Sequence, residues 1–94
     1  MLPTLGRRAR SKIGSAMHFV YILESECGSH FYTGLTENVL QRLAAHNAGQ
    51  VSHSAKFRPW TLKTYIAFQD RTRAAEFERY LKTASGRAFA RKRL

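Results

Sequence analysis

The chain has 94 residues, room for one domain but not for a second catalytic one, since domains usually run to roughly 100 to 150 residues. Hydrophobic residues at 44% and charged residues at 23% sit near globular averages, which excludes a disordered low-complexity chain. Sixteen Lys and Arg against six Asp and Glu leave a net charge of +10, which points to a polyanionic partner, nucleic acid foremost.

A lone cysteine, Cys27, has no internal disulfide partner, and with four scattered histidines it offers no paired zinc-ligand spacing. No apolar run approaches the ~18 residues of a membrane span, and no secretory apolar core is visible. The expectation is a soluble, cytoplasmic protein with no membrane partner.

Residues 1–16 (MLPTLGRRARSKIGSA) carry four cations, no acid and no strand or helix period, and read as a basic, disordered arm. A nucleic-acid arm and a transit peptide are the competing readings, and Met17 offers an alternative start. Without the arm's four cations the net charge of +10 falls to +6, so the domain expected over 17–94 is basic in its own right.

From His18 to Glu24 the apolar residues are nearly continuous, as in a strand covered on both faces. A turn over Ser25 to Ser29 and a second β-prone run, His30 to Leu35, complete a hairpin that puts Tyr21 and Tyr32 nearly opposite each other. Thr36 or Asn38 can cap a helix reaching about Asn47, with Val39, Leu40 and Leu43 inward and Gly49 as its stop. A polar and basic loop over 50–59 leads to a third strand, Trp60 to Phe68. Asp70 or Thr72 can cap a second helix through Thr83, whose inward arc is Ala74, Phe77, Leu81 and Ala84. Ser85-Gly86 is read as the break before a short basic helix, Arg87 to Arg93. The fold class is therefore α/β (α+β), a three-stranded antiparallel sheet flanked by helices in the order ββαβαα. Phe19, Tyr65, Phe77 and Leu81 are its expected packing residues, in a core of marginal size.

Arg42 and His46 stand four apart on the flank of the first helix's apolar stripe. They suit either a solvated flank or a cleft that grips phosphate through a guanidinium fork and an imidazole proton. On the second helix Glu76 points away from the buried arc and Glu78 falls on its border, one turn before Lys82. Glu78 suits either an ordinary pair with Lys82, worth about 0.3 to 0.5 kcal/mol, or one hard cation held together with phosphate oxygens. Tyr21 and Tyr32 suit core residues with satisfied hydroxyls, or proton acceptors and phosphate-orienting groups. Gly34 marks a bulge or a close backbone approach.

Tyr21, the run Tyr32-Thr33-Gly34, Arg42, His46 and Glu78 together resemble the GIY-YIG nuclease superfamily, in the form of its small stand-alone members. FYTGLTENVLQRLAAHNAG resembles the second half-motif with its helix, and FERYLKTASGRAFARKRL the C-terminal stretch of those members. Phe19-Val20-Tyr21 stands at the first motif without its glycine, and Thr33 replaces the second motif's isoleucine. The resemblance implies a DNA endonuclease of repair or processing that uses one Mg²⁺ (or Mn²⁺). In it a tyrosine, Tyr21 or Tyr32, takes a proton from water or orients it, Arg42 stabilises the phosphoryl charge, Glu78 holds the metal, and His46 assists a tyrosine. The rival reading is a non-catalytic nucleic-acid-binding module on the same scaffold. In either case Lys56, Arg58, Arg87, Arg91, Lys92 and Arg93 are the expected phosphate contacts. Such contacts leave RNA open beside DNA, and a partner protein for targeting is compatible with so small a domain.

Overall fold

A computed structural model describes residues 17–94; the basic arm expected over residues 1–16 lies outside them. β1 (His18–Ser25) is the middle strand of a three-stranded antiparallel sheet ordered β2–β1–β3, with β2 (Phe31–Thr36) and β3 (Trp60–Phe68) on its edges. α1 (Val39–Asn47) follows β2, one 3-10 turn (Ala55–Phe57) precedes β3, and α2 (Arg71–Leu81) and α3 (Ala84–Arg93) come after it. This is the α+β order ββαβαα expected from the sequence.

The continuous apolar run of β1 is explained by cover on both faces. Val20 and Ile22 pack with Ala74 and Leu81 of α2, supported by Phe77 and by Ala90 of α3. Tyr21 and Leu23, pointing the other way, pack with Trp60, Leu43 of α1 and Tyr32. Pairing between β1 and β3 shifts between Ile22 and Leu23: Ile22 faces Thr64 and Leu23 faces Leu62, so Lys63 is an extra residue. Although every second residue of β3 is the better buried one, this bulge sends Trp60 and Leu62 to the Leu23 face and Phe68 to the Val20 face.

Three expectations are corrected. Tyr65 is 51% exposed, touching Phe19 edge-on at 5.6 Å between ring centroids, because nine-residue α1 covers only the Trp60 end of that face. Leu40 is 73% exposed: the inward arc of α1 runs through Val39, Arg42, Leu43 and His46, and at about 100° per residue Leu40 is rolled out to solvent. The helix break falls at Thr83, which leaves Ala84 exposed at the start of α3 rather than on the buried arc of α2. The Thr83 hydroxyl donates to the Tyr80 carbonyl at 2.6 Å and accepts from the Gly86 N–H at 3.1 Å, so one side chain ends α2 and caps α3.

Gly86 is then a packing residue, buried where a Cβ would run into the Tyr80 carbonyl and the Leu81 backbone. Replacing an open helical glycine by alanine gains about 1 kcal/mol. Gly86→Ala is expected to do the reverse here and lose about 1 to 3 kcal/mol through overpacking, which a thermal melt reads as a lowered midpoint.

Candidate active site

The Asn38 carboxamide starts α1 by accepting the Gln41 N–H at 3.0 Å. The other end is clasped by Asn47, whose side chain donates to the Trp60 carbonyl at 3.0 Å and accepts the Trp60 N–H at 2.6 Å. With both ends fixed, Arg42 and His46 do not lie on a solvated flank. His46 is fully buried and Arg42 half-buried, both turned toward the sheet.

Tyr21 stands directly opposite Gly34 in β2, while Tyr32 pairs with Leu23 and so reaches Tyr21 diagonally on the same face. The rings of Tyr21 and Tyr32 stack with centroids 6.3 Å apart, and Tyr32 meets the His46 ring edge-on at 4.4 Å. Gly34 supplies the close approach that a glycine in a strand suggests. Its missing side chain leaves room for the Tyr21 ring and hydroxyl, with which a Cβ there would collide.

The Tyr21 hydroxyl lies 3.0 Å from His46 Nε2, and His46 Nδ1 lies 2.7 Å from Ser54 Oγ. The Ser54 hydroxyl donates to the Val51 carbonyl at 3.3 Å, so Oγ is left to accept from Nδ1–H. That arrangement favours the Nδ1–H tautomer, in which Nε2 is bare and accepts the Tyr21 O–H. The indole of Trp60 donates to the Ser54 carbonyl at 2.9 Å and pins the loop that carries this serine. Ser54 is buried and was not singled out in the sequence, because the polar run over 50–59 has no period that distinguishes one serine from another.

Burial raises the Tyr21 pKa above 10.0; the Arg42 guanidinium beside it pulls the other way, and the charges of Tyr32 and Glu78 add to the rise. Burial, and then the Arg42 charge, lower His46 below 6.5. Resting Tyr21 and His46 are therefore both neutral at pH 7. Glu78 is half-buried and accepts from Lys82 at 2.7 Å, while Glu76 is exposed, as the angular argument expects. Among the described residues no three His, Cys, Asp or Glu side chains gather into a metal site. Glu78 offers a single carboxylate, shared with Lys82, and this fits a cation that takes most of its ligands from substrate phosphate and water.

Arg87 and Arg91 of α3 line a groove together with Lys63 and Lys82, while Lys92 and Arg93 are exposed at the end of that helix. Lys56 and Arg58 belong to the loop before β3, where Arg58 Nε donates to the Ala55 carbonyl at 2.7 Å. Among the described residues no helix is long and apolar enough to cross a membrane.

Residues 17–93 match the family model of the GIY-YIG catalytic domain. A UPF0213 protein of Halobacterium salinarum is 37% identical over 70 residues, 73% of this chain and 90% of that protein. Another UPF0213 protein, from Staphylococcus haemolyticus, is 39% identical over 71 residues, covering 74% of this chain and 85% of its own length. A structure-specific endonuclease subunit SLX1 homolog of Leishmania infantum is 39% identical over 69 residues, 65% of this chain but 10% of that much longer protein.

The buried chain makes stability depend on pH with a defined sign. Because His46 is lowered on folding, its contribution is complete above its unfolded value of 6.5 and is lost as pH falls below it. Because Tyr21 is raised, its contribution is complete below 10.0 and is lost above that. Ser54→Ala leaves the Nδ1 proton of His46 without its acceptor and is expected to cost about 1 to 3 kcal/mol, or roughly 4 °C or more in the melting midpoint. Ser54→Thr, which keeps the hydroxyl, recovers most of that loss in the same melt.

Proposed function

The chain belongs to the GIY-YIG catalytic domain family, and from that membership we propose that it is a divalent-metal-dependent endonuclease hydrolysing DNA phosphodiester bonds at the cluster of Tyr21, Tyr32, Arg42, His46 and Glu78. The observation that carries this reading is the Tyr21 hydroxyl, 3.0 Å from His46 Nε2 and with the Arg42 guanidinium of the same helix beside it. It joins a proton path to an anion-stabilising group at one point of the sheet.

Tyr21 serves as the base through a relay. A preformed phenolate is disfavoured because burial raises this hydroxyl and lowers its partner. As water attacks phosphorus its proton passes to the Tyr21 oxygen and the phenolic proton to His46 Nε2, while the P–O bond to the leaving sugar oxygen breaks and that oxygen takes a proton from solvent. Ser54 holds the imidazole in the accepting tautomer throughout. Arg42 donates to the phosphoryl oxygens, where its fork meets the charge that develops in the transition state. Tyr32, stacked beside Tyr21, orients the phosphate through its hydroxyl. When bound at Glu78, Mg²⁺ or Mn²⁺ supplies Lewis-acid stabilisation of the oxygens around phosphorus.

DNA repair or processing is the setting in which we place this activity. A partner protein would supply targeting, a role consistent with the word "subunit" in the name of the Leishmania relative. The exposed free thiol of Cys27 suits a reducing compartment such as the cytoplasm. The Glu78–Lys82 ion pair favours a second reading, a module that binds nucleic acid without cutting it.

Labelled single-stranded, duplex and branched DNA, each incubated with Mg²⁺ or with EDTA, separates the two. Cleavage is expected with the metal and absent in EDTA. Glu78→Ala abolishes it without weakening DNA binding, while Glu76→Ala stays within a few fold of wild type. Arg42→Ala lowers the rate by about 10² to 10³. Cleavage that survives EDTA, or Glu78→Ala cutting like wild type, contradicts the metal assignment; binding with no cleavage of any substrate leaves the module reading.

A further inference from the structure

On the sheet face opposite Leu23 and Trp60, the β1–β2 hairpin and the α2–α3 turn enclose a groove of about 450 Å³, within the size range of small-molecule sites. Its floor is apolar, made by Ile22, Leu81 and Ala90. One wall is the ring of Phe31, which is 53% exposed although it lies in a strand. The rim carries Lys63, Lys82, Arg87 and Arg91, of which Lys82 is already paired with Glu78. Lys63 is the extra residue of the β3 bulge, and its ammonium donates to the main-chain oxygen of Leu94 at 3.1 Å.

We propose that this groove holds an unpaired nucleobase, stacked on Phe31 above the apolar floor, with its flanking phosphates paired to Lys63, Arg87 and Arg91. The inference rests on the nuclease reading and deepens it, naming as substrate a strand that is unpaired next to the bond to be cut.

The chemistry selects this occupant. A phosphate alone would use the cations and leave Phe31 and the floor bare, whereas a duplex offers phosphates but keeps its base faces stacked on one another. An unpaired nucleotide brings both an aromatic face and an anion, the pairing that single-strand grooves recognise. The groove reaches the candidate active site through Lys82, which stands on its rim and is bonded to Glu78. A strand seated on Phe31 is thereby delivered beside the carboxylate proposed to hold the metal.

The test measures binding of full-length protein in EDTA, where no cleavage occurs, to a labelled oligothymidylate and to a blunt duplex of equal length. Phe31 is exposed, so Phe31→Ala leaves the fold intact, which a melt at the wild-type midpoint verifies. Phe31→Ala is expected to weaken oligothymidylate binding by about 5- to 150-fold, the usual effect of removing one base–aromatic stack. Duplex binding stays unchanged, and Phe31→Tyr restores the single-strand affinity. Arg87→Gln with Arg91→Gln weakens oligothymidylate binding and makes it less salt-dependent.

Equal losses on both probes, or no loss on oligothymidylate, overturn the groove assignment and leave the nuclease reading to the Glu78→Ala cleavage assay. A selective loss in Phe31→Ala alongside undiminished cleavage by Glu78→Ala supports the groove and removes the metal assignment instead. Tight binding of poly-glutamate, lost in Phe31→Ala, with no binding of oligothymidylate would make the occupant an acidic peptide and overturn the proposal.

Discussion

The hydrogen bond between Tyr21 and His46 is the constraint on which the remaining architecture depends. Both side chains are buried at the junction of β1 and α1, where an unpaired polar group costs about 1 to 3 kcal/mol. Each satisfies the other, and Ser54 satisfies the second imidazole nitrogen. Among the described residues no buried side-chain nitrogen or oxygen is left without a partner. The cost of the arrangement is visible in its neighbours. To turn His46 inward, α1 exposes Leu40, and to give the Tyr21 ring room, β2 carries Gly34 in place of a residue that would pack.

From that bond the cluster is assembled at the β2 edge of the sheet. Arg42 arrives one turn before His46 on α1, and Glu78 comes from α2 on the other face, one turn before Lys82. The cationic groove lies on the α2 face of the sheet, and the proposed chemistry and the proposed strand contact are linked there by the Lys82–Glu78 pair. With six acids in the whole chain and a net charge of +10, the protein attracts phosphate broadly. The carboxylate of Glu78 marks where a cation would be concentrated against that positive background.

Much of this was legible in the sequence because it rests on local rules. The continuous apolar run of β1, the Asn38 cap, the third strand from Trp60 to Phe68 and the angular separation of Glu76 from Glu78 follow from pleat, capping and helical period. Features set by tertiary packing were not legible. Leu40 obeys the helical period but loses its place to His46, and Tyr65 has strand character but no helix long enough to cover it. Gly86 resembles a helix breaker until Tyr80 and Leu81 are seen against it. Ser54 gives no signal at all, since its role exists only once Trp60 and His46 are brought together from different elements.

The tautomer of His46 tests the central claim most directly, because the relay requires one arrangement of protons and no other. Nitrogen-15 NMR of the imidazole at pH 7 reads it without substrate or metal. The account predicts a neutral ring with the proton on Nδ1, bonded to Ser54, and a bare Nε2 accepting from Tyr21. A proton on Nε2, or an imidazolium with both nitrogens protonated, would contradict it.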